Sequence, residues 1–450
     1  MLRDAVQQAE AIAGKTYTIC GMVCKFTPCL IPADMKWLAH IAGELPNSAT
    51  YFTTFANVPQ SEMEKVGKSF SISSSKPADF HPWKWEKRVA DVEAVSYFFA
   101  ELPEHLSEDR KHDSLLRYMS STLKSRQSTM PAIGRLVEKA TVDPLHVMNN
   151  AWEFWLSCVV NEALALCGRH YSGVTAADSP PNKLLIVLKQ KLHLYRLHRK
   201  LDEWLQESSK RRNDPAATIH VRLTGLESRK FAQNVMVVVN AMFSAASKSE
   251  ATLLRLYALA FIGLELRNAV ALFSRYTISE EQVSDLKKHC KQFFNSCHLF
   301  VPRAVTPTIW SIGPVVPEHT RKLQEEIGFG LGIGTTQGRE AKVQTAKQYL
   351  EHTVPRNKWQ MFFRHEYMHL IWLSKHITTE DSYHETKDSY LPKGVQAGTT
   401  CACGEEKLST STKCKFCSHQ YHSLVESCAK GGRLSEEYKR ITNTRQHTLM

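Results

Sequence analysis

Three acidic residues of this 450-residue chain lie where carboxylates often do chemistry. Asp34 follows a β-like run and opens the segment DMKWLAHIAGEL. Asp143 lies in TVDPLHVMNNAW, three residues before His146, and Glu340 follows a run of glycines. Each acid also has an ordinary structural explanation, as an N-cap, a turn former or an exposed residue in a first helical turn. Carboxylates that converge from distant segments can hold Mg²⁺ for phosphoryl transfer, so their spatial arrangement decides between these interpretations.

The glycine run GFGLGIGTTQGREA (328–341) has a glycine at every second position from Gly328 to Gly334. A phosphate-binding P-loop would place Lys-Ser or Lys-Thr directly after its last glycine, and this chain has none there. The run instead predicts a close turn against the core. A helix then follows, with Thr335 or Thr336 as its N-cap and Glu340 in its first turns.

Two close cysteine pairs near the end of the chain predict a structural zinc site. Four thiolates at this spacing can saturate a tetrahedral Zn²⁺ ion and leave no open coordination position. The predicted ligands are Cys401, Cys403, Cys414 and Cys417. Because Cys-x-Cys is a tighter first pair than usual, one ligand could be exchanged for a nearby side chain, namely His419, His422 or Cys428.

The segment FFRHEYMHLIWL contains His365-Glu366-x-x-His369, which matches the short motif of zinc metallopeptidases. The motif is short enough to arise by chance in a chain with 20 histidines. Trp372 stands where the extended form of the motif has glycine, and no third ligand follows at the usual spacing. A peptidase is therefore the third of our functional interpretations.

The chain is basic, with 57 Lys and Arg against 45 Asp and Glu. Much of this excess lies in residues 182–212, where Leu185, Leu188, Leu192 and Tyr195 form one apolar stripe of a predicted helix. The segment predicts either a solvated face of a core helix or a surface that contacts phosphates. The predicted nucleic-acid-binding residues are Lys189, Lys191, Arg196, Arg199 and Lys200.

The elements that must position these residues divide the chain into four regions. Residues 1–65 mix short β-like runs with a helical segment, and an exposed connection (67–83) leads to residues 84–300, which are helical almost throughout. Residues 301–376 return to turns and short helices, and 377–450 form a hinge and the cysteine-rich tail. The predicted class is helix-dominated α+β. The sparse cysteines indicate an intracellular protein with free thiols, and no segment reads as a membrane span.

The segments PADMKWLAHIAGEL, VDPLHVMNNAW and GLGIGTTQGREAKVQT together resemble the DDE transposases with an RNase-H-like core. The resemblance is to the group that contains the hAT superfamily and the V(D)J recombinase catalytic chain. The chain also looks like uncharacterised transposon-derived proteins of invertebrate genomes. The resemblance implies a partial RNase-H-like core (1–150), a helical insertion (151–300), a core segment with the last acidic helix (301–376) and a zinc-binding tail (377–450).

The resemblance also assigns roles to individual residues. Asp34 would be the second metal-binding acid and Glu340 the last one, with Mg²⁺ as the cofactor. Asp143 and His146 would form the Asp-x2-His signature that supports the site. The first acid of the family should lie on an earlier strand, but the only aspartate before Asp34 is Asp4, in a polar helical stretch.

We therefore predict a transposase-derived, nucleic-acid-associated protein that is catalytically incomplete as it stands. If active, it would cut DNA by Mg²⁺-assisted attack of water on a phosphodiester. DNA is the expected partner, the expected location is nuclear, and homo-oligomerisation is left open. The main alternative is a zinc-containing interaction module without catalytic activity.

Overall fold

A computed structural model of the chain describes residues 2–19, 21–26, 28, 31–63, 81–166, 183–210, 221–245, 250–301, 305–352, 358–376 and 390–401. Helices dominate these ranges and their four strands are short, which confirms the predicted helix-dominated α+β class. The strands form two separate two-stranded sheets, so the described ranges do not contain a complete RNase-H-like sheet.

The N-terminal part of the chain alternates short strands with short helices. The first two strands form an antiparallel hairpin with mostly exposed side chains, and the third leads directly into the helix that Asp34 caps. The elements are α1 (Leu2–Ile12), β1 (Thr16–Ile19), β2 (Met22–Lys25), β3 (Ile31–Ala33), α2 (Met35–Ile41) and α3 (Gln60–Met63).

The strand β3 pairs in parallel with β4 (Ala140–Val142), which lies about 100 residues further along the chain. Ala33 is the register partner of Val142. Asp34 and Asp143, which directly follow β3 and β4, therefore lie at the same end of this strand pair. Parallel strands require a long connection, which helices supply here.

Helices make up most of the described part of residues 81–301, as predicted. They are α4 (Trp85–Ala100), α5 (Glu108–Tyr118), α6 (Pro144–Leu166), α7 (Lys183–Leu194), α8 (His198–Lys210), α9 (Gly225–Gln233), α10 (Val235–Ala245), α11 (Glu250–Phe273) and α12 (Glu280–Phe300), with a π-helix at Met119–Leu123 and a 3₁₀-helix at Gly134–Lys139. Helix α6 runs without a break across the predicted boundary between residues 150 and 151.

The core forms where α6 packs against α11. The buried Trp155 of α6 donates its indole N–H to the Leu259 carbonyl at 3.1 Å. A Cβ on Gly263 would lie 2.7 Å from that indole, so glycine is required for this close approach.

The stretch Arg255–Phe273 is the one candidate membrane span among the described residues, and 83% of it is buried within the protein. The packing fixes α6, whose first turn carries His146.

A buried ionic cluster fixes the loop that follows α2. Glu44 forms ion pairs with Arg88 of α4 and with Arg126, whose Nε lies 3.0 Å from Oε2, and it accepts a hydrogen bond from the Thr54 hydroxyl at 2.7 Å. The Arg126 guanidinium also donates to the side-chain oxygen of Asn47 at 3.0 Å. Removing one member would leave a buried charge unpaired, at a cost of about 3–5 kcal/mol.

The basic segment forms two helices, so the single long helix predicted over 182–212 is wrong. Helix α7 ends at Leu194 and α8 begins at His198. Arg196 between them has φ +58°, in the left-handed region that a continuous helix does not contain. The buried Leu188 and Leu192 still form part of the predicted apolar stripe.

The C-terminal part of the described chain brings the glycine run and Glu340 back to the strand pair. Its helices are α13 (Pro307–Ile312), α14 (Val315–Ile327), α15 (Gln337–Glu351), α16 (Lys358–His376) and α17 (Lys393–Gln396), with a 3₁₀-helix at Leu331–Gly334. The buried His319 of α14 accepts the backbone N–H of Val142 at 3.2 Å. This hydrogen bond holds α14 against β4, directly before Asp143.

Candidate functional site: an acid pair around His146

Asp34 is both the N-cap of α2 and a member of the site. Its Oδ1 accepts the backbone N–H groups of Lys36 at 2.8 Å and Trp37 at 3.2 Å, so the ordinary N-cap interpretation is correct. Its Oδ2 lies 3.8 Å from His146 Nε2. The carboxylate is 40% exposed, which leaves this second oxygen open to solvent and ligands.

Asp143 is buried, and hydrogen bonds occupy both of its oxygens. Oδ1 accepts the backbone N–H of Leu145 at 3.1 Å and that of Thr336 at 3.2 Å. Oδ2 accepts the Thr336 hydroxyl at 2.5 Å and contacts His146 Nδ1. Burial alone would raise the pKa of Asp143, but hydrogen bonds from His146 and Thr336 lower it below its ordinary value. Asp143 is therefore an ionised anchor for its neighbours.

His146 connects the three acids. Its Nδ1 bonds to Asp143, while its Nε2 lies 3.1 Å from Glu340 Oε1 and 3.8 Å from Asp34 Oδ2. The hydrogen bond to Asp143 raises the pKa of His146; burial opposes this change, and the charges of Asp143, Asp34 and Glu340 add to it. These contacts therefore shift the ring toward the imidazolium form, and Nε2 lies between the two exposed acids.

The glycine run forms the predicted close turn, and its geometry explains the glycines. Gly328 ends α14 with φ +74°, and Gly330 donates its N–H to the Tyr276 carbonyl at 2.6 Å. A Cβ on Gly330 would lie 2.4 Å from the Arg275 carbonyl oxygen, so a side chain cannot fit there. The run is a backbone-to-backbone contact with the residues after α11.

Thr336 then places Glu340 over the site. It occupies the N-cap position of α15, but its hydroxyl donates to Asp143 and does not cap the helix. Thr335 Oγ1 instead accepts the N–H of Gln337 at 3.4 Å. Glu340 donates its backbone N–H to the Thr336 carbonyl at 2.8 Å, one helical turn later. The Asp143–Thr336 contact therefore sets the position of the Glu340 side chain.

The two exposed acids converge, although about 300 residues separate them in sequence. Asp34 Oδ2 and Glu340 Oε1 lie 3.8 and 3.1 Å from the same nitrogen, so they are within about 7 Å of each other. A cleft of about 210 Å³ begins beside Asp34 and His146 and is lined by Asp34, Lys36, Asn47, His146, Asn150 and Thr308. It offers polar side chains next to an open carboxylate.

The acid pair offers the kind of oxygen ligand that Mg²⁺ takes. Asp34 and Glu340 are 40% and 50% exposed and present oxygen ligands, and Mg²⁺ is commonly held by one or two carboxylates together with water and substrate phosphate. Asp143 is not available, because its oxygens are already hydrogen-bonded. In the part of the chain that the structure describes, no group of three or more His, Cys, Asp and Glu side chains is arranged to hold a metal.

The cysteine tail lies mostly outside the described residues. Cys401 is described and is half-buried, whereas Cys403, Cys414 and Cys417 fall outside, as do the alternative zinc ligands His419, His422 and Cys428. The zinc site stays a prediction.

The metallopeptidase motif lies on α16, and no third metal ligand accompanies it among the described residues. The parallel rings of His365 and His369 have centroids 6.4 Å apart. Glu366 pairs with Lys342 of α15, and this hydrogen bond lowers its pKa. The glutamate that would activate water in a peptidase is thus engaged with a lysine.

The predicted nucleic-acid-binding residues differ in their surroundings. Lys189 pairs with Asp202 at 2.7 Å, and Lys200 pairs with Glu203 at 2.9 Å. The other three, Lys191, Arg196 and Arg199, are exposed. These three form the part of the basic segment that remains open to a phosphate backbone.

Sequence reasoning missed the role of Thr336. The only available signal was a Thr-Thr pair before a helix, which suggested capping and gave no reason to link it to Asp143. It also passed over Lys36 and Trp37, which lie two and three residues after Asp34 and line a cleft with it.

Comparison with known proteins does not identify the chain. No protein-family model matches it, and no curated protein matches it significantly.

Proposed function

We propose that the chain is a transposase-derived, nucleic-acid-associated protein whose acid pair, Asp34 and Glu340, binds one Mg²⁺ and a phosphodiester. It is catalytically incomplete as an isolated chain, carries a structural zinc in its tail and acts on nuclear DNA. The observation that carries the proposal is the approach of two exposed carboxylates across His146. Two segments so far apart in sequence have no local reason to place carboxylates on one histidine.

The proposed incompleteness follows from the hydrogen bonds of the third acid. Two-ion phosphoryl transfer uses ions about 4 Å apart that share several carboxylates. Both carboxylate oxygens of Asp143 are already hydrogen-bonded, to Leu145, Thr336 and His146. Only Asp34 and Glu340 are then left as ligands, and two carboxylates can hold one ion but not two. Asp4, the only aspartate before Asp34, lies on α1.

Each residue of the site has a defined task in this proposal. Asp34 and Glu340 would hold the ion, and Mg²⁺ would supply Lewis-acid polarisation of a phosphoryl oxygen. Asp143 orients the imidazole through Nδ1 and, through Thr336, holds α15 in place. His146 Nε2 faces both acids, and when protonated it can donate a hydrogen bond to an oxygen beside them.

The acid pair makes a sign-specific prediction for DNA binding. Without Mg²⁺ the two carboxylates repel the phosphates, and with Mg²⁺ they attract them, so Mg²⁺ should strengthen DNA binding at constant ionic strength. Asp34→Asn and Glu340→Gln should each bind DNA more tightly without Mg²⁺ and lose most of the Mg²⁺ effect. Asn retains the N-cap of α2.

Fluorescence anisotropy of a labelled DNA duplex measures this effect. Glu351→Gln, an exposed acid at the far end of α15, is the matched control and should behave as the wild type. An equal Mg²⁺ dependence in the wild type and both acid variants would contradict the proposed ion site. If the isolated chain cleaved DNA with Mg²⁺, that result would contradict the proposed catalytic incompleteness but not the ion site.

The basic segment supplies the second test of nucleic-acid association. Each phosphate contact contributes about 0.9 to the slope of log K against log salt for duplex DNA. Replacing Lys191, Arg196 and Arg199 by Gln should lower that slope by roughly 2.7 if all three contact phosphates. Lys189→Gln and Lys200→Gln serve as controls, because acids already hold these lysines. An unchanged slope in the triple variant would exclude this surface.

One observation favours the alternative, an interaction module without nucleic acid. Helix α16 exposes several large apolar side chains, namely Met361, Phe363, Tyr367, Met368 and Trp372. Exposed apolar patches mark protein interfaces in many proteins. Absence of DNA binding at low salt would favour this function over the first.

A further inference from the structure

A small cavity adjoins the segments that hold Asp143. It has a volume of about 50 Å³ and lies where the start of α6, helix α9, the residues after α11 and the start of α15 meet. Leu145, Thr335 and Gln337 are among the residues that line it. The backbone N–H groups of Leu145 and of Thr336 both donate to Asp143. A ligand in this cavity would therefore contact both segments that fix Asp143.

Arg229 of α9 brings to this cavity a positive charge that no acid balances. Its side chain is half-buried, and its Nε is buried without a hydrogen-bond partner. Among the described residues the guanidinium forms no ion pair, and no aspartate or glutamate lines the cavity. The guanidinium lies over the ring of Tyr390, 5.4 Å from the ring centroid, which gives a cation–π contact but no counter-charge. Because a buried charge without a partner is costly, an anion bound at Arg229 would remove that cost.

Neutral hydrogen-bond donors line the same space. Ser274 and Gln337 both face the cavity, and within the described part of the chain their side chains form no hydrogen bond. Thr335 lines it as well, and because its Oγ1 accepts the N–H of Gln337, its own hydroxyl proton can still be donated. The cavity therefore combines one guanidinium with three neutral donors.

We propose that this cavity binds one oxyanion of the phosphate class, held by the guanidinium of Arg229. A guanidinium matches the oxygens of a phosphate or of a carboxylate. The size of the cavity selects the phosphate, because about 50 Å³ holds roughly four atoms of the size of a water, as many as a phosphate has oxygens. Donors on several segments also match a tetrahedral group better than a planar one. The site goes beyond the proposed function, because it requires neither Mg²⁺ nor the acid pair.

Isothermal titration calorimetry of the full chain with inorganic phosphate, at constant ionic strength, tests the site. We expect saturable binding of one phosphate per chain and weaker binding of acetate. Arg229→Gln should weaken phosphate binding by roughly ten- to a hundredfold, the range for loss of a hydrogen bond to a charged group. Lys230→Gln is the matched control, because it removes the same charge from the next residue of α9, which does not line the cavity. It should bind phosphate as the wild type does.

Thermal unfolding distinguishes ligand binding from a structural role of Arg229. Without phosphate, Arg229→Gln should unfold at the temperature of the wild type or above it, because the unbalanced charge is gone. With phosphate, the wild type and Lys230→Gln should gain thermal stability, and Arg229→Gln should not. A lower unfolding temperature of Arg229→Gln without phosphate, together with an unchanged gain from phosphate, would assign Arg229 a structural role and overturn the proposal.

Two oligonucleotides of the same sequence, of which only one carries a 5′-phosphate, identify the source of the phosphate group. If the terminal phosphate increases the affinity of the wild type but not that of Arg229→Gln, the ligand is the end of a nucleic acid. If the two oligonucleotides bind equally and inorganic phosphate still binds, the ligand is a free anion. Both results support the phosphate site.

Other outcomes separate this site from the proposed function. Absence of saturable phosphate binding in the wild type, equal phosphate binding by Arg229→Gln, or tighter binding of acetate than of phosphate would overturn the phosphate site. None of these results bears on the ion site at Asp34 and Glu340. Failure of both oligonucleotides to bind would overturn nucleic-acid association, whereas binding of inorganic phosphate in the same experiment would still support the phosphate site.

Discussion

Replacing Thr336 by Val tests whether the Asp143–Thr336 contact positions Glu340. Valine keeps the β-branched shape but removes the hydroxyl that donates to buried Oδ2 of Asp143 at 2.5 Å. The backbone N–H of residue 336 still donates to Oδ1, so one of two links is lost. A hydrogen bond to a charged group contributes about 1.5–3 kcal/mol, so we expect the start of α15 to be destabilised by about 2 kcal/mol.

Hydrogen exchange measured by mass spectrometry detects this loosening locally. A change of about 2 kcal/mol corresponds to a roughly thirtyfold rise in the exchange rate of α15 amides that exchange by local opening. Peptides from the core helix α11 should be unaffected. Thr335→Val is the control, because its hydroxyl only accepts one backbone N–H at 3.4 Å. Equal effects of the two substitutions, or none for Thr336→Val, would refute the positioning role.

Three further predictions concern the supports of the site. Burial, with a contribution from a nearby lysine, lowers the pKa of His319 from 6.5 to about 3, so the folded state binds fewer protons than the unfolded state between these values. The stabilising contribution of neutral His319 is complete above pH 6.5, and it falls by about 1.4 kcal/mol per pH unit below that value. Urea unfolding of the wild type and of His319→Gln at pH 7, 6 and 5 measures this effect. The free energies of unfolding of the two proteins should converge as the pH falls. Gly330→Ala should destabilise the protein by about 1–3 kcal/mol, because the new Cβ would lie 2.4 Å from a carbonyl oxygen. Gly338→Ala should be neutral or slightly stabilising, because a Cβ at this position of α15 meets open space. Thermal unfolding compares the two variants. Elemental analysis of the full chain should find one zinc per chain that is lost in the double variant Cys401→Ser/Cys414→Ser; retention of zinc would contradict the predicted tail site.

Sequence patterns predicted the local elements well because local rules govern them. Asp34 caps α2, as its ordinary structural explanation expects. The glycines from Gly328 onward make the expected close turn. In each case the residue types and their spacing are sufficient, since the hydrogen-bond partners lie within a few residues.

The sequence could also suggest that Asp34, Asp143 and Glu340 act together, but not how. No local sequence pattern shows that β3 and β4 are neighbours, or that the Thr336 hydroxyl donates a hydrogen bond to Asp143. Long-range pairing depends on the packing of α6, α11 and α14, which a pattern of apolar residues does not specify. The same limit explains the wrong prediction for the basic segment. Its apolar stripe suggested one helix, but the left-handed backbone of Arg196 divides the segment into two helices.

The central claim is that Asp34 and Glu340 form one ion site, and counting bound Mn²⁺ by electron paramagnetic resonance tests it most directly. Mn²⁺ prefers the same oxygen ligands as Mg²⁺ and is visible when free in solution. We predict one Mn²⁺ bound per chain in the wild type and in Glu351→Gln, and none at the same free concentration in either Asp34→Asn or Glu340→Gln. Retention of the bound ion in both acid variants would contradict the account.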